Sequence, residues 1–267
     1  MNNVVTFPLL NLTLHINRVA FTIFGVSIYW YAILMVSAMI LAIVIFKTRD
    51  GLYNIKYQDI LDLLLLLIPI SLICARLYYV LFNLKYYMSN PVQILNARNG
   101  GMAIYGGVIG GIVTCYIFCK KKKINFLDLI DFLAPGLVLG QAIGRWGNFV
   151  NVEAYGTETK LPWRMGIYEM GQYIEVHPTF FYESLACFMI FILLLILKNK
   201  RQFKGQIACT YLLAYSLERT FVEALRTDSL MLGKIRISQL LSIIVFIATL
   251  IIFIVKTYKI KSSKNNV

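Results

Sequence analysis

Residues 126–156 read FLDLIDFLAPGLVLGQAIGRWGNFVNVEAYG, so an apolar segment runs directly into a group of polar residues. The apolar part ends at Ile143 and is close to the roughly 20 residues that a helix needs to cross a bilayer. The polar part supplies one cation, two amides and one carboxylate: Arg145, Asn148, Asn151 and Glu153. Three glycines, Gly144, Gly147 and Gly156, let backbone N–H groups approach a ligand closely. The combination favours a site for an anionic group at the membrane edge; a polar re-entrant turn that satisfies only its own backbone is the alternative.

The whole chain is unusually apolar. Hydrophobic residues make up 59% of its 267 residues and the mean hydropathy is +0.70, whereas soluble domains are typically about 45–50% apolar. Seven hydrophobic segments approach or reach spanning length: Val19–Phe46, Ile60–Leu84, Met102–Cys119, Phe126–Ile143, Thr179–Leu197, Gln206–Glu223 and Ile237–Val255. We therefore predict an all-α polytopic membrane protein with seven transmembrane helices, forming a single membrane domain over residues 1–267.

The positions of the basic residues predict how the chain is oriented. Fifteen of the 26 lysines and arginines lie in four segments: Lys47, Arg49 and Lys56; Lys120–Lys123; Lys198, Lys200, Arg201 and Lys204; and Lys256, Lys259, Lys261 and Lys264. These segments follow the first, third, fifth and seventh spans, so they share one side of the membrane. The positive-inside rule makes that side the cytoplasm, with the N-terminus outside and the C-terminus cytoplasmic. We interpret the net charge of +13 as a topology signal and expect no nucleic-acid partner.

The same topology places residues 144–178 in an extracytoplasmic loop region between the fourth and fifth spans. Residues 1–17 contain no lysine or arginine, so we expect no cleavable signal peptide, and their alternating apolar positions favour a short amphipathic piece on the outer face. The chain has two histidines and no GxxxxGK motif. We therefore expect chemistry without a metal, a nucleotide or another cofactor.

A glycine-rich stretch, NGGMAIYGGVIGG at residues 99–111, opens the third span. Its glycines lie four apart, at 106 and 110 and at 107 and 111, a spacing that favours close helix packing. A helix that starts here also directs free N–H groups and the positive end of its dipole towards an anion, with Tyr105 on the first turns.

Charged residues inside the spans indicate a cavity. Arg76 in the second span requires a partner or an aqueous pocket, and both a structural ion pair and a functional role explain it. The sixth span holds four charged residues within nine positions: Glu218, Arg219, Glu223 and Arg226. Arg219 and Glu223 are four apart and can neutralise each other on one helix face. Packing alone does not require so many charges, so a cavity that binds charge is the better interpretation.

Four motifs in order carry a specific resemblance to a known family: NGGMAIYGG at 99–107, GRWGNFVNVEAYG at 144–156, HPTFFYES at 177–184 and LERTFVEALR at 217–226. From about Tyr31 to Gln239 the chain resembles the prolipoprotein diacylglyceryl transferases. The resemblance implies a multi-pass enzyme of the bacterial plasma (inner) membrane with its active site on the extracytoplasmic side. Such an enzyme moves diacylglycerol from phosphatidylglycerol to the lipobox cysteine thiol of a prolipoprotein signal peptide. A thioether forms and glycerol phosphate leaves.

The resemblance also implies roles for particular residues. Arg145 is expected to be the main phosphatidylglycerol contact and Arg219 the second essential cation, oriented by Glu223. The other expected site residues match the family's motifs or lie beside them: Tyr31, Asn148, Glu153, Gly156, His177 and Arg226. Arginines suit this chemistry because they stabilise the negative charge that grows on the departing phosphate.

One residue departs from the family's pattern. Many relatives carry a histidine in the glycine-rich stretch as the proposed base for the thiol, where this chain has Tyr105. A phenol with an ordinary pKa of about 10 is a poor base at neutral pH. Glu153, His177 or the departing phosphate are therefore alternative proton acceptors, and Tyr105 is still expected to contact the headgroup. A protein that binds or transports the lipid without cleaving it would use the same cations.

Overall fold

The computed structural model describes residues 3–96, 100–233 and 235–265. Asn99, the first residue of the predicted glycine-rich stretch, lies outside the described residues, as do Met1 and Asn2. The chain forms two compact units. The first unit comprises Met1–Ile45 with Leu133–Val267, and the second unit comprises Phe46–Phe132.

Helices dominate both units. In the described part of the chain they are α1 (Trp30–Lys47), α2 (Tyr57–Phe82), α3 (Leu84–Ser89), α4 (Ile104–Lys122), α5 (Phe126–Asn151), α6 (Thr179–Leu197), α7 (Gln206–Leu225) and α8 (Ile237–Asn265). Short 3₁₀ turns cover Pro8–Leu10, Leu52–Asn54 and Pro91–Ile94. Each of the seven predicted spans coincides largely with one long helix.

Five of these helices are long and apolar enough to cross a membrane: α1, α2, α5, α6 and α8. The chain is therefore a membrane protein. The helices α4 and α7 have 19 and 20 residues, which is a sufficient length, but glycines dilute the first and charged residues interrupt the second. These two helices carry Tyr105 and Arg219, two of the residues that the sequence singled out for the site.

The beginning of the predicted first span is wrong. Residues Val19–Ile23 and Val26–Tyr29 form two antiparallel strands, β3 and β4, and α1 begins only at Trp30. The two residues between these strands both have positive φ, 47° at Phe24 and 77° at Gly25, as a type I′ hairpin turn requires. This two-residue turn makes a hairpin from a sequence whose hydropathy resembles that of a helix.

The expectation of an all-α chain also needs correction, because small sheets accompany the helices. Strands β1 (Asn3–Phe7), β2 (Leu12–Ile16), β5 (Met165–Glu169) and β6 (Gln172–Val176) form an antiparallel sheet in the order β2-β1-β5-β6. A two-stranded sheet of β7 (Met231–Leu232) and β8 (Ile235–Arg236) precedes α8. The larger sheet buries Val5, Ile167 and Val176 against Phe180, so the N-terminal strand shares one core with the segment between α5 and α6 and the start of α6.

In the first unit the core consists of apolar faces of α5, α6 and α7. Val138, Cys187, Leu194 and Ile207 are fully buried there, and Tyr211 packs beside them. Helix α5 continues eight residues beyond Ile143 to Asn151, so the first part of the central motif is helical. This extension brings Arg145 onto a helix that packs against α6 and α7.

In the second unit α4 packs on α2 through its glycines, which confirms the predicted close approach. A Cβ built on Gly110 would lie 2.6 Å from the Cβ of Cys74, and one on Gly111 would lie 3.3 Å from the hydroxyl of Ser71. At the other end of α4, Lys122 bonds to Asp59 at 2.9 Å and to Asp62 at 2.8 Å.

Arg76 binds backbone carbonyls in this unit, where an ion pair or a functional contact was expected. Its guanidinium donates to the carbonyl oxygens of five residues: Ile94, Gly100, Gly101, Gln93 and Asn96. The ring of Tyr87 lies 5.2 Å from the guanidinium carbon. Arg76 therefore holds the segment that leads into α4, and its charge is satisfied by carbonyl dipoles.

Candidate active site

The site is centred on Glu183, which enters the first turns of α6. Its side chain is only 1% exposed, and its Oε2 accepts from Arg145 of α5 at 2.5 Å. The same oxygen accepts from Nη1 of Arg219 on α7 at 2.8 Å. One carboxylate oxygen therefore joins three helices. A buried carboxylate needs such partners, because leaving it without them would cost several kcal/mol.

Arg219 is held on two sides. Besides Glu183, it forms an ion pair through Nη2 with Glu223, one helical turn further along α7. This i,i+4 pair confirms that the two residues neutralise each other on one helix face, as the sequence predicted. Glu223 is itself almost completely buried. The planar guanidinium of Arg219 is thus fixed in both position and orientation.

Arg226, the residue directly after α7, completes the group. Its Nη1 lies 3.8 Å from Oε1 of Glu183, and it bonds to both oxygens of Asp228 at 2.9 and 2.7 Å. Burial raises the pKa of the Asp228 carboxyl, but the hydrogen bonds and charge of Arg226 outweigh burial and hold that pKa below its usual value. Six residues form what we call the arginine cluster: Arg145, Arg219, Arg226, Glu183, Glu223 and Asp228.

A second polar group lies at the end of α5. The Nδ2 of Asn148 donates to Oε1 of Glu153 at 2.9 Å, and the Nδ2 of Asn151 donates to the same oxygen at 3.2 Å. Glu153 is exposed, and its backbone N–H donates to the carbonyl of Asn148 at 3.0 Å. Positive φ angles at Val152 and Ala154 turn the chain around this carboxylate. The structure therefore brings these three predicted residues together, with Glu153 bonded to amides.

Gly156 and His177 connect this turn to the arginine cluster. The N–H of Gly156 donates to the carbonyl of His177 at 3.0 Å, and Gly156 pairs with Arg226 in a β-bridge. A Cβ on Gly156 would lie 2.7 Å from the Cβ of His177 and 3.2 Å from the carbonyl oxygen of Leu225. Only glycine fits there without displacing the backbone. Burial lowers the pKa of His177, so its imidazole is neutral at pH 7.

Tyr31 and Tyr105 lie in different units. Tyr31, the second residue of α1, packs on Gly147, where a Cβ would lie 2.8 Å from its Cε2 atom. Tyr105 lies in the first turn of α4 in the second unit, with its ring 6.5 Å from that of Tyr78 and 39% of the residue exposed. A role for Tyr105 beside the arginines stays a prediction.

Comparison with known proteins identifies the family of this chain. A sequence model of the prolipoprotein diacylglyceryl transferase family matches residues 18–255. The chain belongs to the prolipoprotein diacylglyceryl transferase family. It is 49% identical over 237 residues to the phosphatidylglycerol–prolipoprotein diacylglyceryl transferase of Finegoldia magna, covering 88% of this chain and 94% of that protein. The enzymes of the same name from Clostridioides difficile and Clostridium novyi are 49% identical over 251 residues and 45% identical over 255 residues. These alignments cover 94% and 92% of this chain, and 98% of each relative.

Reasoning from the sequence did not assign Glu183 and Asp228 to the site of this transferase-family chain. Glu183 is the single acid within the predicted fifth span, and an acid among apolar residues is a functional signal in a membrane helix. Arg145 follows the preceding span and needs a counter-ion, so the sequence marks Glu183 as a candidate partner. The contact itself depends on how the helices pack. The contact of Asp228 with Arg226 depends on the turn after α7, which the sequence does not specify.

Proposed function

We propose that this chain transfers the diacylglyceryl group of phosphatidylglycerol to the lipobox cysteine thiol of a prolipoprotein signal peptide, forming a thioether and releasing glycerol phosphate. The observation that carries the proposal is the convergence of Arg145, Arg219 and Arg226 on Glu183. Three guanidinium groups held beside apolar helices suit a lipid with an anionic headgroup. The names of the relatives state the same two substrates.

In this proposal Arg145 binds the phosphate and Arg219 stabilises the charge that grows as it leaves. Each guanidinium has five N–H donors, and the carboxylates use only some of them, so others are available to phosphate oxygens. Both side chains are already fixed by Glu183, and Glu223 orients Arg219. Such preorganised donors contribute roughly 3 kcal/mol each to a transition state in a site that excludes water.

The reaction breaks the bond between the glyceryl carbon and the phosphate oxygen, and it forms a bond between that carbon and the cysteine sulfur. The thiol proton must leave before or during the attack, because the thiolate is the nucleophile. Two residues of the first unit are candidate acceptors of the thiol proton: Glu153 and His177. His177 is the better placed of the two, since its imidazole is neutral, whereas Oε1 of Glu153 already accepts from the amides of Asn148 and Asn151. Tyr105 is assigned a contact with the headgroup.

The proposal includes the arrangement of the chain in a bacterial plasma (inner) membrane. The helices α4 and α7 cross the bilayer together with the five apolar helices, which gives seven spans in a single membrane domain over residues 1–267. The basic segments lie in the cytoplasm, and the N-terminus lies outside. Residues 144–178 and the arginine cluster then face the extracytoplasmic side, where the prolipoprotein arrives. No metal or other cofactor takes part.

A transfer assay with the purified chain tests this function. Micelles contain phosphatidylglycerol with a labelled headgroup and a peptide that carries a lipobox cysteine. We expect release of labelled glycerol phosphate and a gain of diacylglycerol mass on the peptide. Arg145→Ala and Arg219→Ala should each lower transfer by about 100-fold or more, and Tyr105→Phe should be milder.

Arg164→Ala is the matched control, because this arginine pairs with Glu175 at 2.5 Å and lies outside the arginine cluster. Its transfer rate should stay near that of the unaltered chain. Full activity of Arg145→Ala would refute the anion-binding role. Binding of phosphatidylglycerol without release of glycerol phosphate would favour a lipid-binding or lipid-transporting protein.

A further inference from the structure

The carboxyl group of Glu218 has no role in the proposed reaction. It lies in α7 directly before Arg219, and both of its carboxyl oxygens are buried. No hydrogen-bond donor in the described part of the chain reaches either oxygen. The acids of the arginine cluster differ from it, since Glu183, Glu223 and Asp228 each contact at least one guanidinium.

The groups that face Glu218 come from three helices. Arg145 of α5, Glu183 and Cys187 of α6, and its neighbour Arg219 all interact with it electrostatically. The positive charges favour an ionised Glu218, whereas the negative charge of Glu183 opposes it. Neither arginine donates a hydrogen bond to Glu218, since both of its carboxyl oxygens are without a donor among the described residues. An ionised carboxylate without a donor is strongly disfavoured in such a place.

The protonation state of Glu218 affects the net charge of the site. Its three arginines balance its three acids, so the formal charge of the arginine cluster is zero. An ionised Glu218 would make the group negative and repel an anionic headgroup. An uncharged Glu218 leaves the balance unchanged. The net charge that phosphatidylglycerol meets therefore depends on one buried proton.

We propose that Glu218 is held as an uncharged carboxylic acid, and that this keeps the arginine cluster neutral when the phosphate of the lipid binds. The inference rests on the proposed function for its substrate. Glu218 is a positioning residue here: it acts through Arg145 and Arg219 and does not touch the lipid. Its proton is not consumed in the reaction, so the amide of glutamine should replace the acid.

Infrared difference spectroscopy tests the uncharged state directly, without any substrate. Subtracting the spectrum of Glu218→Gln from that of the unaltered chain at neutral pH should leave the carbonyl band of a protonated carboxylic acid. Asp228→Asn is the matched control, and it should remove carboxylate bands, because Arg226 keeps Asp228 ionised. Loss of carboxylate bands in Glu218→Gln would overturn the proposal.

The KM for phosphatidylglycerol tests the effect on binding. At neutral pH, Glu218→Gln should keep both kcat and KM within about twofold of the unaltered chain, because an amide preserves shape and neutrality. Where a rise in pH ionises Glu218, the KM of the unaltered chain should rise by about tenfold, and the KM of Glu218→Gln at the same pH should stay constant. Cys187→Ser should retain the rise, which excludes titration of that thiol as its cause.

The two hypotheses fail in different ways. If the unaltered chain releases no glycerol phosphate, the proposed function fails, and the infrared measurement still determines the charge of Glu218. If the unaltered chain is active but Glu218→Gln loses more than about tenfold in kcat, the carboxyl group takes part in the reaction and the positioning role is wrong. The same pH dependence of KM in both proteins would also overturn it.

Discussion

Replacing Gly106 by alanine tests the contact between α4 and α2. A Cβ at this position would meet the carbonyl oxygen of Cys74 and would lie 2.5 Å from the Cβ of Tyr78 and 3.0 Å from the Cα of Ala75. Backbone atoms cannot move aside as flexible side-chain ends do, so the helices must separate. Overpacking of this kind destabilises a protein by about 1–3 kcal/mol.

The neighbouring glycine supplies a matched control. A Cβ on Gly107 would lie 3.6 Å from both the Cβ of Ala75 and the carbonyl oxygen of Ser71, which is ordinary van der Waals contact. Both substitutions gain the same helix propensity, up to about 1 kcal/mol for glycine to alanine. This gain is therefore removed when the stabilities of the two variants are compared with each other. Gly106→Ala should therefore be less stable than Gly107→Ala by about 1–3 kcal/mol.

The free energy of unfolding in mixed micelles, measured by titration with a denaturing detergent, gives this difference. Apparent Tm values in a mild detergent provide a second measurement, and they should show the same order. Equal stability of the two variants, or greater stability of Gly106→Ala, would refute the close packing of α4 on α2. Since Tyr105 precedes Gly106, transfer activity measured on the same samples would also show whether a shift of α4 affects the reaction.

Substitutions at three further residues test other contacts. Glu183→Gln should lower the transfer rate by about 100-fold or more, because Arg145 and Arg219 lose their shared anionic acceptor; near-normal transfer would contradict that role. Arg76→Leu should lower the free energy of unfolding by about 3 kcal/mol or more, since several carbonyl groups lose their donor, and Arg76→Lys should not restore it. His177 has a lowered pKa, so its basic form persists below pH 6.5, and if it accepts the thiol proton the rate should fall only as the pH drops further. His177→Gln should abolish this acid limb, and an unchanged pH profile would favour Glu153.

Five of the seven predicted spans coincide with helices that are long and apolar enough to cross a membrane, because hydrophobic matching to a bilayer is a strong and local constraint. The main error of the sequence-based prediction, the start of the first span, also has a local cause. The strands β3 and β4 are as apolar as the helix that follows, and only the two-residue turn at Phe24 and Gly25 separates hairpin from helix. Hydropathy averaged over a window does not register such a turn.

Only part of the candidate site could be predicted from the sequence. Arg219 and Glu223 are four apart on one helix, so their ion pair follows from helix geometry alone. The contacts of Arg145 and Arg226 with Glu183 depend on how three helices pack, and side-chain spacing in the sequence does not fix that. The partners of Arg76 could not be predicted from the sequence either. Backbone carbonyls can satisfy a buried guanidinium, and no residue type in the sequence marks them in advance.

The balance of charge in the arginine cluster limits how the reaction can proceed. A phosphodiester headgroup brings one negative charge to a group whose three arginines and three acids already cancel. Departure of the phosphate as a dianion would add a second negative charge in a site of low dielectric, where uncompensated charge is expensive. Transfer of the thiol proton to the departing phosphate, directly or through a base, removes that second charge. Proton transfer should therefore accompany cleavage, and kcat should be lower in deuterium oxide than in water. An unchanged kcat, with cleavage shown to limit the rate, would mean that the guanidinium groups stabilise the dianion by themselves.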